Sequence, residues 1–229
     1  MKFLKLLITI LLFPFGISLF ITLFNIITKS FTANYELNNF LYFVGGCTFY
    51  FFIYITLPKP HKFYVLGHEL THAFWALLMG KKVSKIKISK KGGYVEISNS
   101  NFWISLSPYF FPFYTFVLII FSLFIYFFLD SYFNKNIFYF LIGVTWIFHI
   151  LFTIDALKIK QTDITAHGKI FSYFVILFMN ILLINLGLIL FSGIDILNLA
   201  LEYHDLTLEV YVKILNFFKK ILELLVQFF

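Results

Sequence analysis

Long apolar runs, each closed by a short polar or proline-bearing stretch, set the pattern of this chain. Residues 3–27, 39–57, 102–129, 137–157 and 170–191 are mostly apolar. Each is of the length a bilayer-crossing helix needs, about 20 residues. P-K-P-H-K at 58–62 ends the second run, since proline cannot continue a helix. Residues 63–79, F-Y-V-L-G-H-E-L-T-H-A-F-W-A-L-L-M, then predict a shorter helix with Gly80 as its C-cap. Over 83–98 the period changes to two: Ile86 and Ile88 alternate with Lys85 and Lys87, and Val95 and Ile97 with Tyr94 and Glu96. With Gly92–Gly93 between the halves, this predicts a β-hairpin, the one strand signal in the sequence. Pro108 and Pro112 are expected to kink the run 102–129. A polar stretch, K-I-K-Q-T-D-I-T-A-H-G-K, separates the last two runs. From 196 onward Glu202, Asp205, Glu209, Lys213, Lys219, Lys220 and Glu223 recur among apolar residues. That spacing predicts an amphipathic helix, lying on a membrane surface or packed on a bundle. No internal repeat and no soluble-domain boundary is visible. The expectation is one membrane-embedded domain over 1–229: two N-terminal spans in 1–57, a core over 63–191 and a C-terminal helix over 196–229.

Composition turns these runs into a solvent argument. Hydrophobic residues make up 61% of the 229 positions and charged ones 13%, and a soluble domain of that size cannot hide so much apolar surface. The predicted fold class is therefore an all-α polytopic membrane protein with about five to six membrane helices and one short β-hairpin. Lys2 and Lys5 ahead of the first run imitate a secretory signal. The run is too long for a signal core and no small-residue cleavage site follows, so a retained transmembrane helix is expected. All 18 basic residues are lysine, and they sit in the loops between apolar runs. The net charge of +7 then points to lipid headgroups and away from nucleic acid. The single cysteine, Cys47, excludes an internal disulfide and a multi-cysteine metal site. Beside Gly45 and Gly46 it reads as a small packed residue.

Against this background G-H-E-L-T-H at 67–72 stands out. Ionisable groups at membrane depth are costly and usually functional. H-E-x-x-H on a helix puts His68 and His72 on one face, where both imidazoles can reach one zinc ion. Glu69 beside them can act as general base on a zinc-bound water.

The surroundings of this motif resemble the site-2 protease family of intramembrane zinc metalloproteases, peptidase family M50. The resemblance rests on G-H-E-L-T-H-A-F-W-A-L-L-M-G with small Ala73 and Ala76, on the Gly-Gly hairpin that follows, and on S-P-Y at the start of the next span. It covers roughly 63–190. It implies His68 and His72 as zinc ligands, Glu69 as the activator of water, and a transmembrane or membrane-associated protein as substrate. It also implies a third ligand, an aspartate in a short Asp-Gly-type motif near a later membrane segment. No Asp-Gly pair occurs here; the nearest counterpart is Asp163 in Q-T-D-I-T-A-H-G, with Asp155, His149 and His167 as competitors.

Lysine placement bears on that choice. If every helix including 63–79 crosses the membrane with the N-terminus inside, 8 lysines fall inside and 10 outside. If 63–79 enters and leaves on the cytoplasmic side, 13 fall inside and 5 outside, which follows the positive-inside tendency. The second arrangement puts the start of the H-E-x-x-H helix, the hairpin and Asp163 together near the cytoplasmic side, favouring Asp163; the first favours His149. His149, Asn180 and Asn185 also read as ordinary interhelical hydrogen-bonding groups, and Asp155 as a residue facing headgroup water. His61, His167 and His204 carry no clear signal. Two other functions remain open at this level: a catalytically inactive M50-like membrane protein with a structural zinc or scaffold role, and a transporter, though repeated halves are lacking.

Overall fold

The computed structural model describes residues 2–32, 37–89, 92–129, 133–192 and 196–228. The described chain is mostly helical, with one two-stranded antiparallel sheet. Its elements are α1 (Lys2–Thr32), α2 (Leu37–Thr56), α3 (His61–Leu78), β1 (Val83–Ser89), β2 (Gly92–Ile97), α4 (Phe102–Leu106), α5 (Phe113–Phe128), α6 (Lys135–Leu157), α7 (Thr162–His167), α8 (Lys169–Ser192) and α9 (Ile196–Phe228). A 3₁₀ turn, Ser107–Tyr109, stands between α4 and α5. Four described helices are long and apolar enough to cross a membrane: within α1, α2, α6 and α8. The pair 102–109 and 113–128, bent by 82°, makes a fifth if counted as one broken span. The helix of the H-E-x-x-H motif, α3, is not among them.

The chain divides into two compact units, Met1–Glu36 with Phe178–Phe229, and Leu37–Leu177. In the first, α1 packs on α9 and polar side chains reach across to main-chain oxygens. Tyr203 donates to the Phe15 carbonyl at 3.3 Å, Tyr211 to that of Leu11 at 2.5 Å, and Asn185 to that of Leu19 at 3.1 Å. Such bonds are how polar groups are satisfied where water is absent. On α9, Leu208, Leu215 and Leu222 are exposed alongside the ion pairs Glu209–Lys213 and Lys219–Glu223.

The second unit carries the motif. Its frame is the α2–α6 pair, where the backbones touch through small residues. A Cβ on Gly46 would stand 2.0 Å from the Phe140 carbonyl oxygen, and one on Gly143 would stand 2.1 Å from that of Phe43. Close approach of this kind is the membrane-helix use of glycine. Cys47 sits in the same seam, its thiol 3.4 Å from the Gly143 carbonyl, as a packed residue. On another side α3 meets α4 and α5 through aromatic rings: Trp75 stacks on Trp103 at 6.2 Å, and Phe74 meets Phe116 at 5.3 Å.

The hairpin forms where the period of two predicts it, but its glycines differ from expectation. They are not the turn. Gly92 pairs with Ser89 and Gly93 with Ile88, so both are ladder residues at the start of β2. Residues 90 and 91, between the strands, lie outside the described residues. The reason for glycine at 93 lies across the sheet, in what β2 covers.

Candidate metal centre

One face of α3, mixing small and polar residues, turns into the second unit, burying Gly67, Glu69, Thr71, His72, Ala73 and Ala76. His68 and His72, one helical turn apart, stand with their rings edge to face at 5.0 Å. Asp163 arrives from α7, a six-residue helix in the polar stretch between α6 and α8. Its Oδ2 lies 3.5 Å from His72 Nε2 and 3.9 Å from His68 Nε2. The three ligand atoms of His68, His72 and Asp163 lie within 4.8 Å of one another. Two ligands at about 2.1 Å from a common tetrahedral centre stand about 3.4 Å apart, close to the His72–Asp163 separation, so this nitrogen–nitrogen–oxygen set could hold a metal ion. Each ligand also has a neighbour outside the set. His72 Nδ1 meets the Ile104 carbonyl at 2.8 Å, His68 Nδ1 meets the Tyr64 hydroxyl at 3.3 Å, and Tyr109 donates its hydroxyl to Asp163 Oδ2 at 3.1 Å.

The other sequence candidates stay outside the converging group, although His61 and Asp155 line a cavity shared with His68 and Glu69. Asp155 ends in an ion-pair knot with Lys59 at 2.6 Å and Lys158 at 2.7 Å, and it accepts from the Tyr54 hydroxyl. His149 is buried on α6 and borders a space of about 20 Å³ beside Gly67, His68 and Pro108, outside the converging group. His61 packs edge-on against Phe152, and His167 closes α7. Asn180, Asn185 and His204 belong to the other unit.

Glu69 is 6% exposed and lies under β2. A Cβ on Gly93 would stand 2.6 Å from Glu69 Cγ and 2.8 Å from both Glu69 Oε1 and the Lys87 carbonyl oxygen. Only glycine lets the strand pass over this carboxylate. Burial raises the Glu69 carboxyl above the ordinary range; Asp163 adds to the rise and His72 partly offsets it. Burial would also raise Asp163, but its bonds to His68 and His72 outweigh that and hold it below the ordinary range. Burial drives His68 down, toward the neutral imidazole a metal needs. At His72 burial acts the same way but is outweighed by Asp163, and the net shift is upward.

Two cavities flank the Glu69–Gly93 contact. One, of about 390 Å³, is mostly polar and includes Asp163, His72, Ser100, Ser105 and Thr162. The other, of about 360 Å³, is mostly apolar, with Tyr64, Val65, Phe152, Ala156 and Ile159 among its walls. His68, Glu69, Gly93 and Gln161 border both. Among the described residues no lysine lines either cavity. Of the neighbours now visible, Tyr64 has a sequence signal, one turn before His68 on the same face; Tyr109, Gly93 and Gln161 are placed by tertiary packing. No family model, no curated protein and no solved structure matches the chain.

Proposed function

We propose that this chain is an intramembrane zinc metalloprotease of the site-2 protease type, hydrolysing peptide bonds of transmembrane or membrane-associated proteins. The observation that carries the reading is the convergence of His68, His72 and Asp163 beside Glu69. Two carboxylates and two imidazoles line one cavity in which no lysine stands among the described residues, and a divalent cation balances that set. Two neutral histidines and one carboxylate leave a fourth position open, which marks a catalytic zinc and not a structural one. Zinc supplies a water acidified to a pKa of about 7 and a polarised scissile carbonyl.

The protein's own residues do the rest. Asp163, His68 and His72 hold the ion. Glu69 accepts the water proton and delivers it to the leaving amine; its raised ionisation suits that return. The polar cavity admits water. The β2 edge, which runs over Glu69 at Gly93, offers main-chain groups to an unwound substrate strand. Lysines 81–91 contact anionic headgroups, and the site lies near the cytoplasmic side of a multi-pass protein.

A second reading, an inactive M50-like protein with a structural zinc or scaffold role, is favoured by one observation: Asp163 is followed by Ile164 where an Asp-Gly pair is the pattern of the resemblance. One experiment separates them. Zinc-loaded wild type and Glu69→Gln are incubated in detergent with a pool of single-span membrane peptides, and new termini are read by mass spectrometry. The protease reading expects cleavage by wild type and a loss of about 10²–10⁴-fold in Glu69→Gln. Zinc-loaded wild type that cuts nothing supports the scaffold reading.

A further inference from the structure

The break between α4 and α5 changes the chain's direction by 82° and also meets two of the three ligands. Building on the zinc reading above, we propose that the Ser107–Pro108–Tyr109 break is the device that orients them, with Pro108 acting on His72 and Tyr109 on Asp163. In an uninterrupted α-helix the Ile104 carbonyl would accept from the N–H of residue 108. Residue 108 is proline and has none. The Ser107 N–H is already used by the Trp103 carbonyl. Ile104 is fully buried, so water does not satisfy its oxygen. Two side chains do: the Ser107 hydroxyl at 3.0 Å and His72 Nδ1 at 2.8 Å. A carbonyl can only accept, so His72 carries its proton on Nδ1. That leaves the Nε2 lone pair aimed at the Asp163 side, the tautomer a metal requires.

One residue further on, the 3₁₀ turn brings Tyr109 to the other ligand. Its side chain is fully buried. The hydroxyl donates to Asp163 Oδ2, the same oxygen that faces both imidazoles. Its ring stands edge-on to His68, with centroids 5.2 Å apart. Asp163 itself rides on a helix of six residues and keeps 27% of its side chain exposed. The rigid phenol, fixed by the proline break, holds the carboxylate at the depth of the histidines. Pro108 and Tyr109 are positioning residues in this scheme and touch neither metal nor substrate.

The test uses the full-length protein in detergent. Zinc affinity is measured by competition with a chromogenic chelator, and site geometry by the visible spectrum of the cobalt-loaded protein. Tyr109→Phe keeps the ring and removes the donor. It is expected to weaken zinc binding by about 10–100-fold and to alter the cobalt spectrum. Pro108→Ala returns an N–H that competes for the Ile104 oxygen and is expected to weaken zinc binding by about 10-fold or more. If the variants do not accumulate, nitrogen NMR of histidine-labelled wild type decides the point without them: the zinc protein is expected to show His72 protonated at Nδ1. Wild-type affinity and an unchanged cobalt spectrum in both variants, or His72 protonated at Nε2, would overturn the inference while leaving the zinc reading intact. A wild type that takes up no zinc overturns both.

Discussion

Asp155 and Asp163 stand eight residues apart, one just before the polar stretch 158–169 and the other within it, and have opposite surroundings. Asp155 is met by two ammonium groups, Lys59 at 2.6 Å and Lys158 at 2.7 Å, and its charge is balanced locally. Asp163 is met by two imidazoles and a phenol, with Glu69 nearby, and among the described residues no lysine lines its cavity. The first arrangement is complete as an ion pair at the end of a helix. The second gathers donors of electron pairs around a point. The carboxylate paired with lysines ties helix ends together; the one facing two imidazoles belongs to a donor set that could hold a metal ion. In the first unit the contrast is sharper still, because Tyr203, Tyr211 and Asn185 all donate to main-chain oxygens.

Breaking that comparison begins with zinc itself. Zinc at about 100 times its Kd is expected to stabilise wild type by about 2.7 kcal/mol. The same rise in melting temperature is expected for Asp155→Asn. Asp163→Ala should show none, and a rise in that variant would show that its carboxylate is not a ligand.

Next in size comes the strand over the base. Gly93→Ala places a Cβ where Glu69 now lies, and cleavage is expected to fall about 10-fold or more, a loss of about 1.4 kcal/mol in transition-state stabilisation. Zinc content should be unchanged. Loss of zinc together with activity would mean that the hairpin supports the whole site and not Glu69 alone.

Titration offers a subtler contrast in the metal-free protein. Asp163 ionises below its unfolded value, so its contribution to folding is present above about pH 4 and is lost as pH falls through the depressed value. Glu69 ionises above its unfolded value, so it favours the fold at low pH and disfavours it as pH rises through the raised value. At about pH 7, Asp163→Asn is therefore expected to lower the apo melting temperature and Glu69→Gln to raise it. Shifts of the same sign would break this assignment. The smallest effect is expected at Asp155→Asn, about 1 kcal/mol or less, because the lysines it pairs with are partly exposed.

Much of this architecture is legible in the sequence. The apolar runs correspond to α1, α2, α6 and α8, and the prolines at 108 and 112 mark the broken pair. The helical spacing of His68 and His72 needs nothing beyond the geometry of 3.6 residues per turn. The hairpin is legible from its alternation, but the glycine pair misleads. Glycine marks turns because it tolerates positive φ, and Gly92 does adopt φ +139°; Gly93 is glycine for a different reason, the Glu69 carboxylate beneath it. Pairing of Asp163 with the histidines is legible only as a ranking among competitors, since the residues between them fold into a hairpin and three further helices. Tyr109 is one of 14 tyrosines, and no local pattern distinguishes it. A signal did exist one residue earlier: a proline four positions after Ile104 leaves a main-chain oxygen without its helical partner.

The central claim, that His68, His72 and Asp163 hold one zinc ion, is tested most directly by metal content. Detergent-purified wild type, His68→Ala, Asp163→Ala and His149→Ala are supplied with zinc, desalted and measured by inductively coupled plasma mass spectrometry. The expected result is about one zinc per chain in wild type and His149→Ala, and almost none in His68→Ala and Asp163→Ala. Zinc lost from His149→Ala and kept in Asp163→Ala, or absent from wild type altogether, would contradict it.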